Sequence, residues 1–100
     1  MKTLPVSTGF GVRYTVPERI DLTADPGDVR IFFRVRDVYK KVQFLIETEE
    51  GEILVKKAKS AAAPGEMESL TIPADKLKNL LAADCAGIRV SLKETGGAGK

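Results

Sequence analysis

The chain has 100 residues, 43% of them hydrophobic and 30% charged, with one Cys, no His and no Trp. This length suits one domain with one core, and the absence of His excludes His-dependent catalytic triads and His-ligated metal sites within the chain. Sixteen Lys and Arg against fourteen Asp and Glu leave a net charge of +2, which disfavours nucleic acid as a partner because duplex-binding modules carry a larger cationic excess.

The single cysteine, Cys85, bears on the compartment of the protein. It cannot form an intrachain disulfide, whereas small secreted domains often carry at least one. Its apolar neighbours, among them Ala86 and Ile88, favour a thiol packed as a small hydrophobe. No apolar run is long enough for a membrane span, and residues 1–11 lack the pattern of a signal peptide. We therefore expect a cytoplasmic protein without membrane contact.

The beginning of the chain predicts a linker followed by a strand. Residues 1–10 are expected to form an N-terminal approach to the domain. Residues 12–16 alternate in polarity before Pro17, which would close a strand. Residues 20–22 either extend that strand or form a short edge piece, and the Asp-Pro-Gly-Asp sequence at 25–28 predicts a turn.

The middle of the chain contains the clearest strand signals. Residues 29–36 alternate with a period of two, and a second alternating run covers residues 42–47. Because a short loop separates the two runs, they are predicted to pair as an antiparallel hairpin. Residues 49–51 predict a turn in which Gly51 supplies a positive φ, and residues 53–57 predict a further strand.

The last part of the chain combines strands with a single helical signal. Residues 61–65 are expected to be a connection, and residues 67–72 a strand. Residues 73–81 carry leucines at helical spacing over about two turns, which suits a helical bridge between strands. A final strand is predicted at residues 87–92, and residues 95–100 are expected to be a disordered tail.

Short strands at regular spacing with one helical linker predict an all-β fold. We expect a small antiparallel β-sandwich, similar in shape to immunoglobulin or fibronectin type III domains, over residues 11–94. A five-stranded OB-type barrel is the alternative. The predicted core residues are Val29, Ile31, Phe33, Val35, Val42, Phe44, Ile46, Ile88, Val90 and Leu92.

The outer face of the predicted hairpin combines apolar and basic side chains. Phe32 would lie opposite Leu45, and a two-residue turn would add Leu54, whereas a bulged turn would exchange Leu54 with Ile53 and Val55. Apolar patches with charged rims mark docking sites, and coverage by loops or by helix 74–81 has equal support. The candidate interaction surface consists of Phe32, Leu45, Leu54, Arg30, Arg34 and Lys56.

The same strand suggests a second hypothesis, an independent module that binds an anionic polymer such as single-stranded nucleic acid. Phe32 would stack on a base while basic side chains hold phosphates. Those basic side chains are Arg30, Arg34, Arg36, Lys40 and Lys41. The acidic clusters lack the ligand spacing of a calcium loop, so neither a metal site nor a catalytic residue is assigned, and the chain is not expected to be an enzyme.

Three short segments carry a family pattern. Residues 11–17 read G-V-R-Y-T-V-P, residues 31–35 read I-F-F-R-V and residues 64–67 read P-G-E-M. They resemble the C-terminal β-domain of bacterial FAD/NAD-dependent oxidoreductases of the pyridine nucleotide-disulfide type, in which G-x-R-Y-x-x-P opens the domain and P-x-E-M precedes a late strand. The matching residues are Gly11, Arg13, Tyr14, Pro17, Pro64, Glu66 and Met67.

The resemblance implies a non-catalytic accessory domain. Such a domain would dock onto the catalytic flavoprotein body or onto a partner subunit. FAD and NAD(P) are expected only in that parent protein, because this chain lacks both nucleotide-binding fingerprints and a redox Cys pair. The chain would then be an excised or separately encoded module, and the linker predicted at its beginning agrees with a domain boundary.

Overall fold

A computed structural model describes residues 3–22, 27–83 and 85–94. Within these ranges the chain forms eight strands and one helix. Their bounds are β1 Thr3–Thr8, β2 Val12–Val16, β3 Arg19–Asp21, β4 Val29–Val35, β5 Tyr39–Thr48, β6 Ile53–Ala62, β7 Glu68–Ile72, α1 Ala74–Ala82 and β8 Ile88–Glu94. The predicted tail at 95–100, and the first half of the turn predicted at 25–28, lie outside the described residues.

The strands form two sheets that pack face to face. One sheet has five strands in the order β3-β1-β8-β5-β6, and the other has three in the order β2-β4-β7. Neighbouring strands are antiparallel, apart from the parallel pair of β1 and β8. The prediction of an all-β fold, a small antiparallel sandwich with one short helix, is confirmed. The two separate sheets distinguish it from the barrel alternative.

Side chains that alternate along the strands fill the space between the sheets. Nine of the ten predicted core residues are buried, and the tenth, Val29, is partly buried against them. Phe33 of β4 and Phe44 of β5 meet edge to face, with ring centroids 5.0 Å apart and planes at 84°, a favourable geometry for two aromatic rings. Cys85 belongs to this core as well, as predicted, and its thiol donates to the Gly87 carbonyl oxygen.

The predicted hairpin between β4 and β5 is wrong. β4 pairs with β2 and β7, whereas β5 pairs with β6 and β8. The segment 36–38 therefore crosses from one sheet to the other. At its start, the Arg36 amide donates to the Gly11 carbonyl oxygen at 2.8 Å, which holds the end of β4 beside β2. Alternation assigned the inward faces correctly, but Phe33 and Phe44 meet across the sandwich rather than within one sheet.

The expectation of a linker at residues 1–10 is corrected by β1. Residues 3–8 lie in the five-stranded sheet between β3 and β8, and Leu4 and Val6 are buried in the core. Pro5, which cannot donate a ladder hydrogen bond, and the polar Ser7 and Thr8 hide this alternation in the sequence. The short piece predicted at residues 20–22 is the edge strand β3.

The turn between β5 and β6 sets which side chains of β6 face the core. The Thr48 amide donates to the Glu52 carbonyl oxygen at 2.8 Å, and Gly51 has a φ of 94°, as predicted. This is a three-residue hairpin loop that ends in a bulge, and the register of the two strands shifts between Ile46 and Glu47. β6 continues to Ala62, so the connection is shorter than the predicted 61–65.

Helix α1 bridges β7 and β8 at one end of the sandwich, as predicted. Pro73 occupies its N-cap without a side-chain cap, and Asp28 compensates because its Oδ1 accepts a hydrogen bond from the Ala74 amide at 2.8 Å. Leu77 and Leu80 are buried. In the part of the chain that the structure describes, no helix is long and apolar enough to cross a membrane.

Candidate protein interaction surface

The six residues predicted to form one surface are divided between the two sheets. Three lie on β4 in the three-stranded sheet: Arg30, Phe32 and Arg34. The other three lie on β5 and β6 in the five-stranded sheet: Leu45, Leu54 and Lys56. The predicted patch is therefore not assembled, because it depended on the hairpin between β4 and β5.

Within the five-stranded sheet, the bulge decides the orientation of Leu54. The register shift places Ile53 rather than Leu54 opposite Glu47. Leu54 is buried and Ile53 is exposed, as expected of a bulged turn, but Val55 lies opposite Ile46 and packs against the core, so the predicted exchange is observed for Ile53 only. Leu45 is half-buried on the outer face between Lys56 and Ser91, its partners on the neighbouring strands. This outer face is therefore mostly polar around Leu45.

The β4 residues gain a different set of apolar neighbours. Val16 of β2 lies directly opposite Phe32, and Tyr14 lies opposite Arg34. All three apolar side chains are open to solvent, with exposed fractions of 53% for Val16, 39% for Tyr14 and 38% for Phe32. Helix α1 does not cover them. We call the outward side of this three-stranded sheet the β2-β4-β7 face. Its outward strand residues are Tyr14, Val16, Arg30, Phe32, Arg34, Ser69 and Thr71.

Phe32 is the centre of the β2-β4-β7 face. It pairs with Val16 on one side and with Ser69 of β7 on the other, and aromatic and β-branched side chains form favourable cross-strand pairs. The Arg30 guanidinium carbon lies 6.0 Å from the centre of the Phe32 ring, which is at the outer limit of a cation–π contact. An aromatic ring, a branched aliphatic side chain and a guanidinium thus adjoin one another at the surface.

The two outer segments of the family pattern flank β4 on this same sheet. Tyr14 belongs to β2, and Met67 directly precedes β7. Met67 is 46% exposed and stands one position before the inward Glu68. The Arg34 Nη1 donates to the Pro64 carbonyl oxygen at 3.3 Å. This hydrogen bond connects the loop before β7 to β4, the middle strand of the sheet.

The remaining pattern residues shape the beginning of β2 and the connecting loops. Gly11 has a φ of 80°, and a Cβ at this position would lie 2.5 Å from Leu92 Cγ. Arg13 is exposed at the bulge of β2, and Pro17 directly follows that strand. Glu66 is exposed, and its amide donates to the Ala63 carbonyl oxygen within the loop before β7. These residues set the backbone path and supply no paired nucleophile or acid.

Sequence reasoning missed Tyr14 and Val16 as surface residues because of the bulge in β2. The register shifts between Val12 and Tyr14, so Val12 and Thr15 are buried while Tyr14 and Val16 face outward. A one-residue shift sends each following side chain to the opposite face. The sequence Val-Arg-Tyr-Thr-Val has no feature that reveals this shift.

The basic residues of the nucleic-acid hypothesis are also separated. Arg30 and Arg34 lie on the three-stranded sheet, whereas Lys40 and Lys41 lie on β5 of the other sheet. Arg36 begins the segment that crosses between them. The single cationic strand face that this hypothesis requires is therefore absent from the described residues.

Other features near α1 offer little chemistry. A shallow groove of about 320 Å³ runs between the helix and the β5–β6 turn, and its lining includes Leu54 and Leu80. The Lys76 ammonium is occupied there, because it donates to the Leu54 carbonyl oxygen at 2.8 Å. Among the described residues, no three Cys, Asp or Glu side chains group together as metal ligands.

Comparison of the chain with protein-family models, curated proteins and solved structures gives no match. The case for function therefore depends on the β2-β4-β7 face and on the family pattern that borders it. An exposed apolar group with cationic neighbours on a rigid sheet can bind another protein surface.

Proposed function

We propose that this chain is a non-catalytic interaction domain of a FAD/NAD-dependent oxidoreductase. It docks onto the catalytic body or a partner subunit through the β2-β4-β7 face. The observation that carries this proposal is the direct pairing of the exposed Val16 with the exposed Phe32, with the exposed Tyr14 two residues before Val16 on β2. Burial of such side chains against a partner is the main source of binding free energy at protein interfaces.

The family pattern supports the choice of partner class. Tyr14, from the first segment of the pattern, belongs to the docking face. The exposed Met67, from the last segment, directly precedes β7, and Arg34 connects the middle segment to Pro64. FAD and NAD(P) would be bound by the partner. The protein would act in the cytoplasm, a proposal that fits a single cysteine, Cys85, buried as a free thiol.

Recovery of flavin with the chain tests this proposal. The chain carrying an affinity tag is expressed in its source organism and purified, and the bound material is denatured to release flavin for fluorescence detection. We expect FAD in the wild-type sample. Val16→Ser combined with Phe32→Ser should reduce the recovered FAD at least about tenfold, because central apolar anchors dominate interface energies.

Ala58→Ser provides the matched control, because Ala58 is exposed on β6 of the other sheet. The control should recover as much FAD as the wild type. Circular dichroism checks the fold of each variant, and Val16→Lys at a strongly exposed position replaces the double variant if that variant unfolds. Absence of FAD from the wild-type sample, or equal FAD from a folded face variant, would refute the proposal.

A further inference from the structure

We infer that the β2-β4-β7 face recognises a protein surface that is acidic as well as apolar, with carboxylates that pair with Arg30 and Arg34. This inference rests on the proposed function in using the same face. It adds the chemical character of the partner, and three observations on charge lead to it.

The first observation is that the face carries only one sign of charge. Arg30 and Arg34 are its charged outward strand residues, and their neighbours on β7, Ser69 and Thr71, are neutral. Arg13 adds a further exposed cation at the bulge of β2. A partner that covers these strands therefore meets cations together with apolar side chains.

The second observation is that two carboxylates close to the face, those of Glu68 and Asp28, are already engaged, whereas Glu18 and Glu66 are exposed in the loops beside β2 and β7. Glu68 of β7 is turned into the core, where the Lys59 ammonium lies 2.7 Å from both of its carboxylate oxygens. Asp28, just before β4, accepts the Ala74 amide at the start of α1. Arg30 forms no salt bridge with any residue in the described ranges. Its guanidinium is thus available to a partner.

The third observation concerns the spacing of the two arginines. Arg30 and Arg34 are four residues apart on one strand, so their Cα atoms are separated by about 13 Å, with Phe32 between them. Burial of a guanidinium costs free energy unless acceptors replace its water, and carboxylates accept in a bidentate manner. The partner should therefore present carboxylates on both sides of an apolar centre.

A second copy of this chain is a poorer occupant of the same face. Two such faces would bring cations against cations, which opposes association. Arg34 already donates one hydrogen bond from Nη1 to the Pro64 carbonyl oxygen. Arg30 is therefore the better position for a test by charge reversal.

The test uses two synthetic amphipathic peptides that differ only in charge. Both contain the same Leu and Phe positions, with Glu at the charged positions of one and Lys at those of the other. Each is titrated into the isotope-labelled chain while amide chemical shifts are followed by NMR. We expect the Glu peptide to bind at least about tenfold more tightly, to shift the amides of β2, β4 and β7, and to weaken as salt is raised.

Arg30→Glu should abolish or reverse the preference, whereas Arg30→Lys should keep its sign. Lys57→Glu on β6 of the other sheet is the matched control and should leave the preference unchanged. Equal binding of the two peptides, shifts confined to other strands, or no shifts with either peptide would overturn the inference. The peptide titration does not involve flavin. If the FAD-recovery experiment fails while the Glu peptide binds more tightly, the flavoprotein partner is refuted and the charge preference is not.

Discussion

Gly11, the first residue of the family pattern, occupies a position that other residues do not fit. Its φ is 80°, and a Cβ would collide with the side chain of Leu92. Gly11→Ala should lower the free energy of unfolding by about 2–4 kcal/mol, from the left-handed backbone and from overpacking. Urea denaturation measures this difference.

Gly65→Ala is the control for that substitution. Gly65 does not have a positive φ, and a Cβ there would meet open space. Its substitution should change the free energy of unfolding by less than about 0.5 kcal/mol. Equal effects of the two substitutions would show that the pattern glycine is not constrained by its backbone and by Leu92.

Individual residues also show what the sequence can and cannot predict about the surface. Phe32 and the two arginines beside it were predicted as outward residues from the alternation of β4 alone, and they lie on the outward side. Val16 was not predicted as a surface residue, because a bulge earlier in β2 changes the face of later side chains. Bulges depend on tertiary packing and on the partner strand, so local periodicity does not reveal them.

Between elements, an ion pair with one buried and one half-exposed partner connects the two sheets. Lys59 of β6 neutralises Glu68 of β7, whose side chain is 4% exposed. Lys59→Met would leave a buried carboxylate without a partner and should lower the free energy of unfolding by about 3 kcal/mol. Lys57→Met, two positions earlier on β6 and exposed, should have little effect.

Replacement of both partners distinguishes an ion pair from simple packing. Lys59→Met together with Glu68→Leu should recover most of the lost stability, because an apolar pair does not need charge neutralisation. Urea denaturation of the single and double variants measures the coupling. Equal stability of Lys59→Met and wild type would show that the pair does not stabilise the contact between the sheets.

The pairing of elements is the part of the fold that sequence reasoning predicted least well. Period-two alternation gave the position of β4 and β5 and their inward sides, including Phe33 and Phe44. It gave no information about which strand lies beside which, because a short loop such as 36–38 can close a hairpin or cross between sheets. Phe33 and Phe44 meet across the sandwich. Their side chains therefore face inward, as the alternation predicts, although β4 and β5 lie in different sheets.

At the scale of the whole molecule, the two outer faces have different characters. On the five-stranded sheet, Leu45 is half-buried between the polar Lys56 and Ser91. On the three-stranded sheet, Val16 and Phe32 are paired and exposed. Pairing with β2 on one side and β7 on the other places β4 in the middle of the small sheet. The paired, exposed Val16 and Phe32 distinguish the outer side of the three-stranded sheet, whereas the exposed apolar Ile53 of the five-stranded sheet lies opposite Glu47.

Site-specific photo-cross-linking from Phe32 tests most directly whether this side docks onto a flavoprotein. Phe32 is replaced by p-benzoylphenylalanine in the source organism, with Ala58 on the other sheet replaced in the control. After irradiation, cross-linked peptides are sequenced by mass spectrometry. We expect Phe32, but not Ala58, to cross-link to a polypeptide that binds FAD, at a segment containing apolar and acidic residues. Equal yields from the two positions, or cross-links from Phe32 only to proteins that do not bind FAD, would contradict the docking claim.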